Sequence, residues 1–215
     1  MKKLSIIESF FLIFYFCGFS LFAQDNSNAI KILDAVSAKM KAYTSMKIEF
    51  TYTMANAKTK VNESKIGTIQ VKGAKYRVEV GGQIIFCDGK TVWTYLKDEK
   101  EVNVNNVSGQ EDAIPTTILN NYSKNYKPKF IKDAVEGGKT ISIIDLTPLK
   151  TKSYYKVRIY IDKTSQQVTN TIIYDKNGST YTYKVNKFTT NLVLAETIFS
   201  FSKTDYPGVE VNDMR

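Results

Sequence analysis

The chain of 215 residues has a formal net charge of +9, 43% hydrophobic and 24% charged residues, which suits one folded domain with a sizeable core and gives no sign of disorder. It contains no histidine. That removes Ser-His and Cys-His nucleophile pairs, imidazole metal sites and the usual general base near neutral pH, so an enzyme is not expected and neither is a metal or a cofactor.

Lys2-Lys3, an apolar run from Leu4 to Phe22 interrupted by Glu8, and Ala23 before a polar stretch describe a secretory signal peptide over residues 1–23, with one domain over 24–215. An uncleaved membrane anchor is the alternative. Cys17 lacks the small upstream residues of bacterial lipoprotein processing, and it leaves with the signal. Cys87 then stays alone and no internal disulfide can form. Cleavage takes away Lys2, Lys3 and Glu8, so the mature chain stays strongly basic, a field that favours anionic partners. Export argues against a nucleic-acid partner.

Asn26, Ser27 or Asn28 can cap a helix in which Ile32, Leu33, Val36, Met40 and Tyr43 recur at helical spacing, to about Ala42. Met46, Ile48, Phe50, Tyr52 and Met54 alternate with polar residues in a half-buried strand. A polar turn over 55–64 precedes strands at 64–71 and at Tyr76, Val78 and Val80, closed by Gly81-Gly82. Asp88-Gly89 joins Ile84-Ile85-Phe86 to Val92-Trp93-Thr94-Tyr95 and predicts a two-residue hairpin turn, since glycine accepts positive φ without a Cβ clash. Thr91, Trp93 and Tyr95 share one face of that strand; Val92, Thr94 and Leu96 share the other. Both faces are largely apolar. A short strand at 102–104 follows. Asp112 caps a greasy helix with Pro115 in its first turn and Ile114, Ile118, Leu119 and Tyr122 along it. Strands are then predicted at 129–135, 140–147, 154–162, 168–174, 179–188 and 197–202, with an extended tail to Arg215. The even spacing and short turns predict an antiparallel meander.

The chain resembles the LolA-type outer-membrane lipoprotein carriers. Asp88-Gly89-Lys90-Thr91-Val92-Trp93-Thr94-Tyr95 is similar to that family's Asp-Gly-Lys-x-x-Trp-x-Tyr segment. Val71-Lys72-Gly73-Ala74-Lys75-Tyr76-Arg77-Val78-Glu79 resembles its Lys-Pro-Gly-Lys-Phe-Arg-Trp-Glu segment, with Gly73 at the proline and Val78 at the tryptophan. The ending Gly208-Val209-Glu210-Val211-Asn212-Asp213 is similar to its terminal Gly-Val-x-Val-x-Asp.

The resemblance implies a mainly β fold with helices (α+β), an incomplete antiparallel β-barrel or curved sheet covered by helices that form a lid over an apolar cavity. It implies a monomeric periplasmic carrier that takes acylated lipoproteins from an inner-membrane lipoprotein-releasing transporter to an outer-membrane acceptor. Phe50, Tyr52, Tyr76, Val78, Phe86, Trp93 and Tyr95 are the expected sheet side of the cavity, and Ile32, Val36, Ile114, Ile118 and Leu119 the helix side. Lys72 stands where some members carry a lid-locking arginine, and is the candidate latch. A specialised lipid or precursor carrier, or a lipid- or lipoprotein-sensing regulatory module of the same fold, are the alternatives.

Overall fold

The computed structural model describes residues 20–107, 118–119 and 121–215, with the side chains of the first helix from Asn26 onward. Residues 1–19 of the expected signal peptide lie outside them, as do Asp112, Ile114 and Pro115 of the predicted second helix. The chain runs through α1 (Ser20–Ala42), β1 (Met46–Asn56), β2 (Val61–Lys72), β3 (Lys75–Val80), β4 (Gln83–Cys87), β5 (Thr91–Leu96) and β6 (Glu101–Asn106). It continues through α2 (Tyr122–Asn125), β7 (Tyr126–Glu136), β8 (Lys139–Pro148), β9 (Tyr154–Asp162), β10 (Gln167–Asp175) and β11 (Ser179–Thr190). A 3₁₀ turn (Glu196–Phe199) and β12 (Glu210–Asp213) close it. Residues 118 and 119 are helical as well.

The twelve strands among the described residues belong to one sheet in the order β12-β6-β5-β4-β3-β2-β1-β11-β10-β9-β8-β7. Neighbours in sequence pair antiparallel through β1–β6 and β7–β11, as hairpin-length turns require. The two halves join where β1 pairs with β11. The register there skips Asn186, so that Phe50 opposes Val185 while Glu49 opposes Lys187, an irregularity of the kind that bends a strand. The sheet stays open, with β7 and β12 at its edges.

Side chains that oppose one another across a pair share a face, which gives the sheet an inner and an outer side. The inner face carries α1: Leu33 and Val36 pack with Ile118, Leu119 and Tyr122 against Ile144, Leu146, Val157 and Ile159. A second inner cluster joins Ile48, Phe50, Ile69, Tyr76, Val78, Cys87 and Val92. The outer face of β4–β6 is also dry, because the segment after β11 crosses it. Ile84, Phe86, Val102 and Val104 are buried there, with Phe199 and Val209 of that segment. Phe201 and Tyr206 lie against Phe86 and Tyr95 at ring separations of 4.7–6.4 Å.

Several local expectations are corrected. The helix begins upstream of Asn26 to Asn28, at Ser20, because Leu21, Phe22 and Ala23 continue it. The Asp88-Gly89 hairpin forms, but Cys87 opposes Val92, so its loop holds four residues. Asp88 closes the loop by accepting the Lys90 and Thr91 N–H groups at 2.8 Å each, while Gly89 takes a φ of 96°. Residues 197–202 are no strand: apolar Phe199 and Phe201 turn toward the sheet from a 3₁₀ turn and a loop instead of from a ladder. The tail supplies the last strand, and β12 pairs with β6 in parallel, the one parallel pairing among the described strands. The strand predicted from Lys129 begins at Tyr126.

Candidate functional site

An apolar cleft lies between the end of α1 and the inner face of the central strands. Met40 of α1, Tyr43 just beyond its end and Leu119 form one wall. Ile48 and Phe50 of β1, Ile69 of β2, Val168 and Thr171 of β10, and Tyr183, Val185 and Phe188 of β11 form the other. Gln166 and Gln167 border it. No charged side chain lines it among the described residues. Its space between atoms, counting the part open to solvent, is about 620 Å³, yet only about 50 Å³ is wide enough for the centre of a water-sized sphere. The closed cleft is a slot.

The floor of the slot follows from one glycine. Gly67 opposes Phe50 across the β1–β2 pair, and a Cβ there would lie 2.5 Å from Phe50 Cζ. Glycine therefore lets the Phe50 ring lie down on β2, facing the cleft with only 2% of the residue exposed. Phe50, Tyr183 and Tyr52 then run as a row of rings along the inner face, at centroid separations of 5.9 and 5.3 Å. Burial pushes the Tyr183 phenol up to about 12, with the neighbouring Tyr52 phenol adding to the shift, so it stays neutral at physiological pH.

Several bonds fix the helical wall. Lys39 Nζ donates to the Ser165 carbonyl at 2.8 Å, tying the end of α1 to the β9–β10 turn. Beyond α1, Ser45 Oγ donates to the Leu192 carbonyl at 2.7 Å. The Tyr122 hydroxyl donates to the Asp34 carboxylate, joining α2 to α1 across the top. Burial, then the bond to Asp34, raises the Tyr122 phenol well above its ordinary range.

The expected cavity residues divide between the two faces. Phe50 and Leu119 line the cleft. Tyr52 is half-buried beside Tyr183, and Tyr76 and Val78 are buried farther along the same face. Val36 and Ile118 are buried beneath the helices, with Ile32 packed against them. Ile114 lies outside the described residues. Phe86, Trp93 and Tyr95 are not brought to this group: Phe86 opposes Trp93, Ile84 opposes Tyr95, and these side chains point to the outer face under Phe201 and Tyr206. The Arg77 guanidinium lies 5.3 Å from the Phe86 ring centre on that side.

Among the described residues, Lys72 bonds to neither α1 nor α2. Its Nζ donates to Glu196 Oε1 at 2.5 Å and to the Leu194 carbonyl at 3.4 Å, while Lys75 takes Glu196 Oε2 at 2.6 Å. The two lysines hold the Glu196 carboxyl down at about 2, and Lys72 fastens the C-terminal segment to the outer face. Cys87 is a buried packing residue, its thiol pushed up by burial.

The cleft residues that sequence reasoning missed are those on β10 and β11 and the end of α1. Ile48 and Ile69 carried a signal, since alternation already placed Ile48 on the face of Phe50. Nothing local marks Val185 or Phe188 as cleft residues, because their partner strand β1 lies more than a hundred residues away in sequence, and Val168 reaches the cleft only because β10 follows β11 in the sheet.

The fold has relatives among solved structures. An uncharacterized conserved protein from Thermus thermophilus matches with 13% identity and a TM-score of 0.58, over 86% of this chain and 99% of that one. A DUF1329 family protein from Desulfovibrio piger matches with 11% identity and a TM-score of 0.51, over 85% and 99%. A putative outer membrane lipoprotein-sorting protein domain from Vibrio parahaemolyticus gives 12% identity and a TM-score of 0.48, over 81% and 97%. For the Thermus and Desulfovibrio proteins the likeness is one of fold alone. No curated protein sequence matches the chain. The family profile described as outer membrane lipoprotein carrier protein LolA matches residues 41–202, most of the chain, and by that match the chain belongs to the LolA family.

Proposed function

We propose that the cleft takes lipoprotein acyl chains and that the protein carries acylated lipoproteins across the periplasm, from an inner-membrane lipoprotein-releasing transporter to an outer-membrane acceptor. The observation that carries this reading is the uncharged, aromatic-floored slot between α1 and the sheet, in a chain of this family. An acyl chain asks only for dry volume. Burying each methylene is worth roughly 0.8 kcal/mol, so a dozen supply about 10 kcal/mol before the entropy of binding is subtracted.

The slot is narrower than the roughly 150 Å³ that holds one benzene ring in an engineered protein cavity. Loading therefore requires α1, with Ile118 and Leu119, to move off the sheet as a lid. That motion exposes Leu33, Val36 and Leu119 unless a chain replaces them, which couples opening to cargo. No helix among the described residues is long and apolar enough to cross a membrane.

The test is to purify the mature protein under native conditions, identify bound lipid by mass spectrometry, and assay lipoprotein release from spheroplasts. The reading requires acyl ligand in the protein and lipoprotein in the supernatant. A protein that carries no acyl ligand and frees no lipoprotein overturns it.

A further inference from the structure

At the far end of the inner face lies a second, wetter pocket. It is lined by Tyr52 of β1, Lys65 of β2, Val80 of β3, Gln83 of β4 and Leu96 of β5, with Gly81 and Gly82 of the β3–β4 turn and Asp98 and Glu99 of the β5–β6 turn. Cross-strand register puts it on the same face as the cleft: Tyr52 opposes Lys65, Val80 opposes Gln83, and Gln83 opposes Leu96. The two spaces are joined by the ring row, since Phe50 and Tyr183 line the first, Tyr52 lines the second, and Tyr52 touches Tyr183. About 330 Å³ of the second pocket is wide enough for water-sized spheres, so it is roomy where the cleft is tight.

Its charges are of both signs and close together. The Lys65 side chain lies along Gly81, where a Cβ would stand 2.5 Å from Cδ and 3.2 Å from Nζ. Asp98 Oδ2 lies 3.6 Å from the Cβ position of Gly82, the next residue. Among the described residues no ion pair joins Lys65 to Asp98 or Glu99. Both glycines have positive φ, 56° and 83°, so this two-residue turn keeps bare backbone between the cation and the carboxylate. A cation and an anion held apart by one residue, at the wet end of an apolar slot, suit a ligand that carries the opposite pair on one compact head.

We propose that this pocket receives the phosphate–ammonium headgroup of a diacyl lipid whose chains enter the cleft, with Lys65 Nζ at the phosphate and Asp98 and Glu99 at the ammonium. The inference rests on the reading that the cleft holds acyl chains. The neutral phenols of Tyr52 and Tyr183 bridge the two regions, as amphipathic rings do where one end is apolar and the other wet. A singly anionic headgroup meets Lys65 but brings no cation to the two carboxylates. The protein's overall positive charge favours anionic lipid, so a preference for the zwitterion runs against the general field and reports the pocket itself.

The test displaces N-phenyl-1-naphthylamine from the purified protein with dihexanoyl phosphatidylethanolamine, dihexanoyl phosphatidylglycerol and dihexanoylglycerol, at 0.15 M salt. The ethanolamine lipid is expected to displace the dye at about fivefold lower concentration than the glycerol lipid, a difference of ~1 kcal/mol. Asp98→Asn with Glu99→Gln is expected to erase that preference, and Lys65→Met to weaken both phospholipids alike; these positions are exposed, and dihexanoylglycerol is expected to be unchanged in both variants. Equal or tighter binding of phosphatidylglycerol, a preference that survives the carboxylate variant, or phospholipid binding untouched by Lys65→Met overturns the headgroup site. If dihexanoylglycerol also fails to displace the dye, the acyl-chain reading of the cleft falls with it.

Discussion

Gly67→Ala isolates the packing that makes the cleft. The residue is buried and its φ is not in the left-handed region, so alanine carries no backbone penalty there and any cost comes from the new methyl group. That methyl would stand 2.5 Å from Phe50 Cζ, 2.9 Å from Phe50 Cε1 and 2.9 Å from the Glu79 carbonyl oxygen. The carbonyl belongs to the paired strand β3 and cannot withdraw without disturbing the ladder; the ring can move only by rising into the cleft. Overpacking of this kind costs about 1–3 kcal/mol, and for a chain of this size each kcal/mol lowers Tm by roughly 2–4 °C. Urea unfolding should show a lower midpoint with an unchanged slope, and naphthylamine binding should weaken because the raised ring fills the slot. In a Phe50→Leu background the ring contacts are gone and only the carbonyl contact remains. Alanine at 67 should then cost less, with a coupling energy of about 0.5–2 kcal/mol. A neutral Gly67→Ala, or one equally costly in both backgrounds, refutes the claim that Phe50 lies on Gly67.

Trp93 sits on the outer face, opposite Val104, so an acyl probe in the cleft should leave its emission unchanged; a shift on loading would place the ligand on the wrong side of the sheet. The Glu196 carboxyl is held below its ordinary value, so its contribution to docking the C-terminal segment is present above about pH 4.5 and lost as pH falls toward about 2. Glu196→Gln should lack that contribution at neutral pH and show a flatter Trp93 emission profile through the acid range. Tyr122→Phe removes the bond from α2 to the Asp34 carboxylate and should cost about 1–3 kcal/mol, seen as faster amide exchange at Leu119 with β8 and β9 unaffected. Asp145→Asn weakens the two-bond pair in which Arg158 Nε and a terminal nitrogen donate at 2.6 and 2.9 Å, and should lower stability in urea by about 1–2 kcal/mol without changing dye binding.

Much of this protein is written locally. Period-two alternation in Met46–Met54 and Tyr76–Val80, paired glycines at 81–82, and helical spacing from Ile32 to Tyr43 each specify their element, because these signals act between residues a few positions apart. The absent histidine and the family-like segments around Asp88 and Gly208 are equally visible in the chain as written. The faces of β4–β6 are different. Ile84, Ile85 and Phe86 are all apolar, as are Val92 and Trp93, so alternation gives this hairpin two candidate inner sides and no means of choosing. The choice is made by segments far away in sequence. Ile85 and Val92 join the inner cluster with Ile48 and Phe50, while Phe86 and Tyr95 are claimed by Phe201 and Tyr206, which Glu196 fastens through Lys72 and Lys75. The sequence alone determined most of the strands, and its family resemblance implied an apolar space; only the tertiary structure decided which face holds it, because covering a face is a contact between residues more than a hundred positions apart.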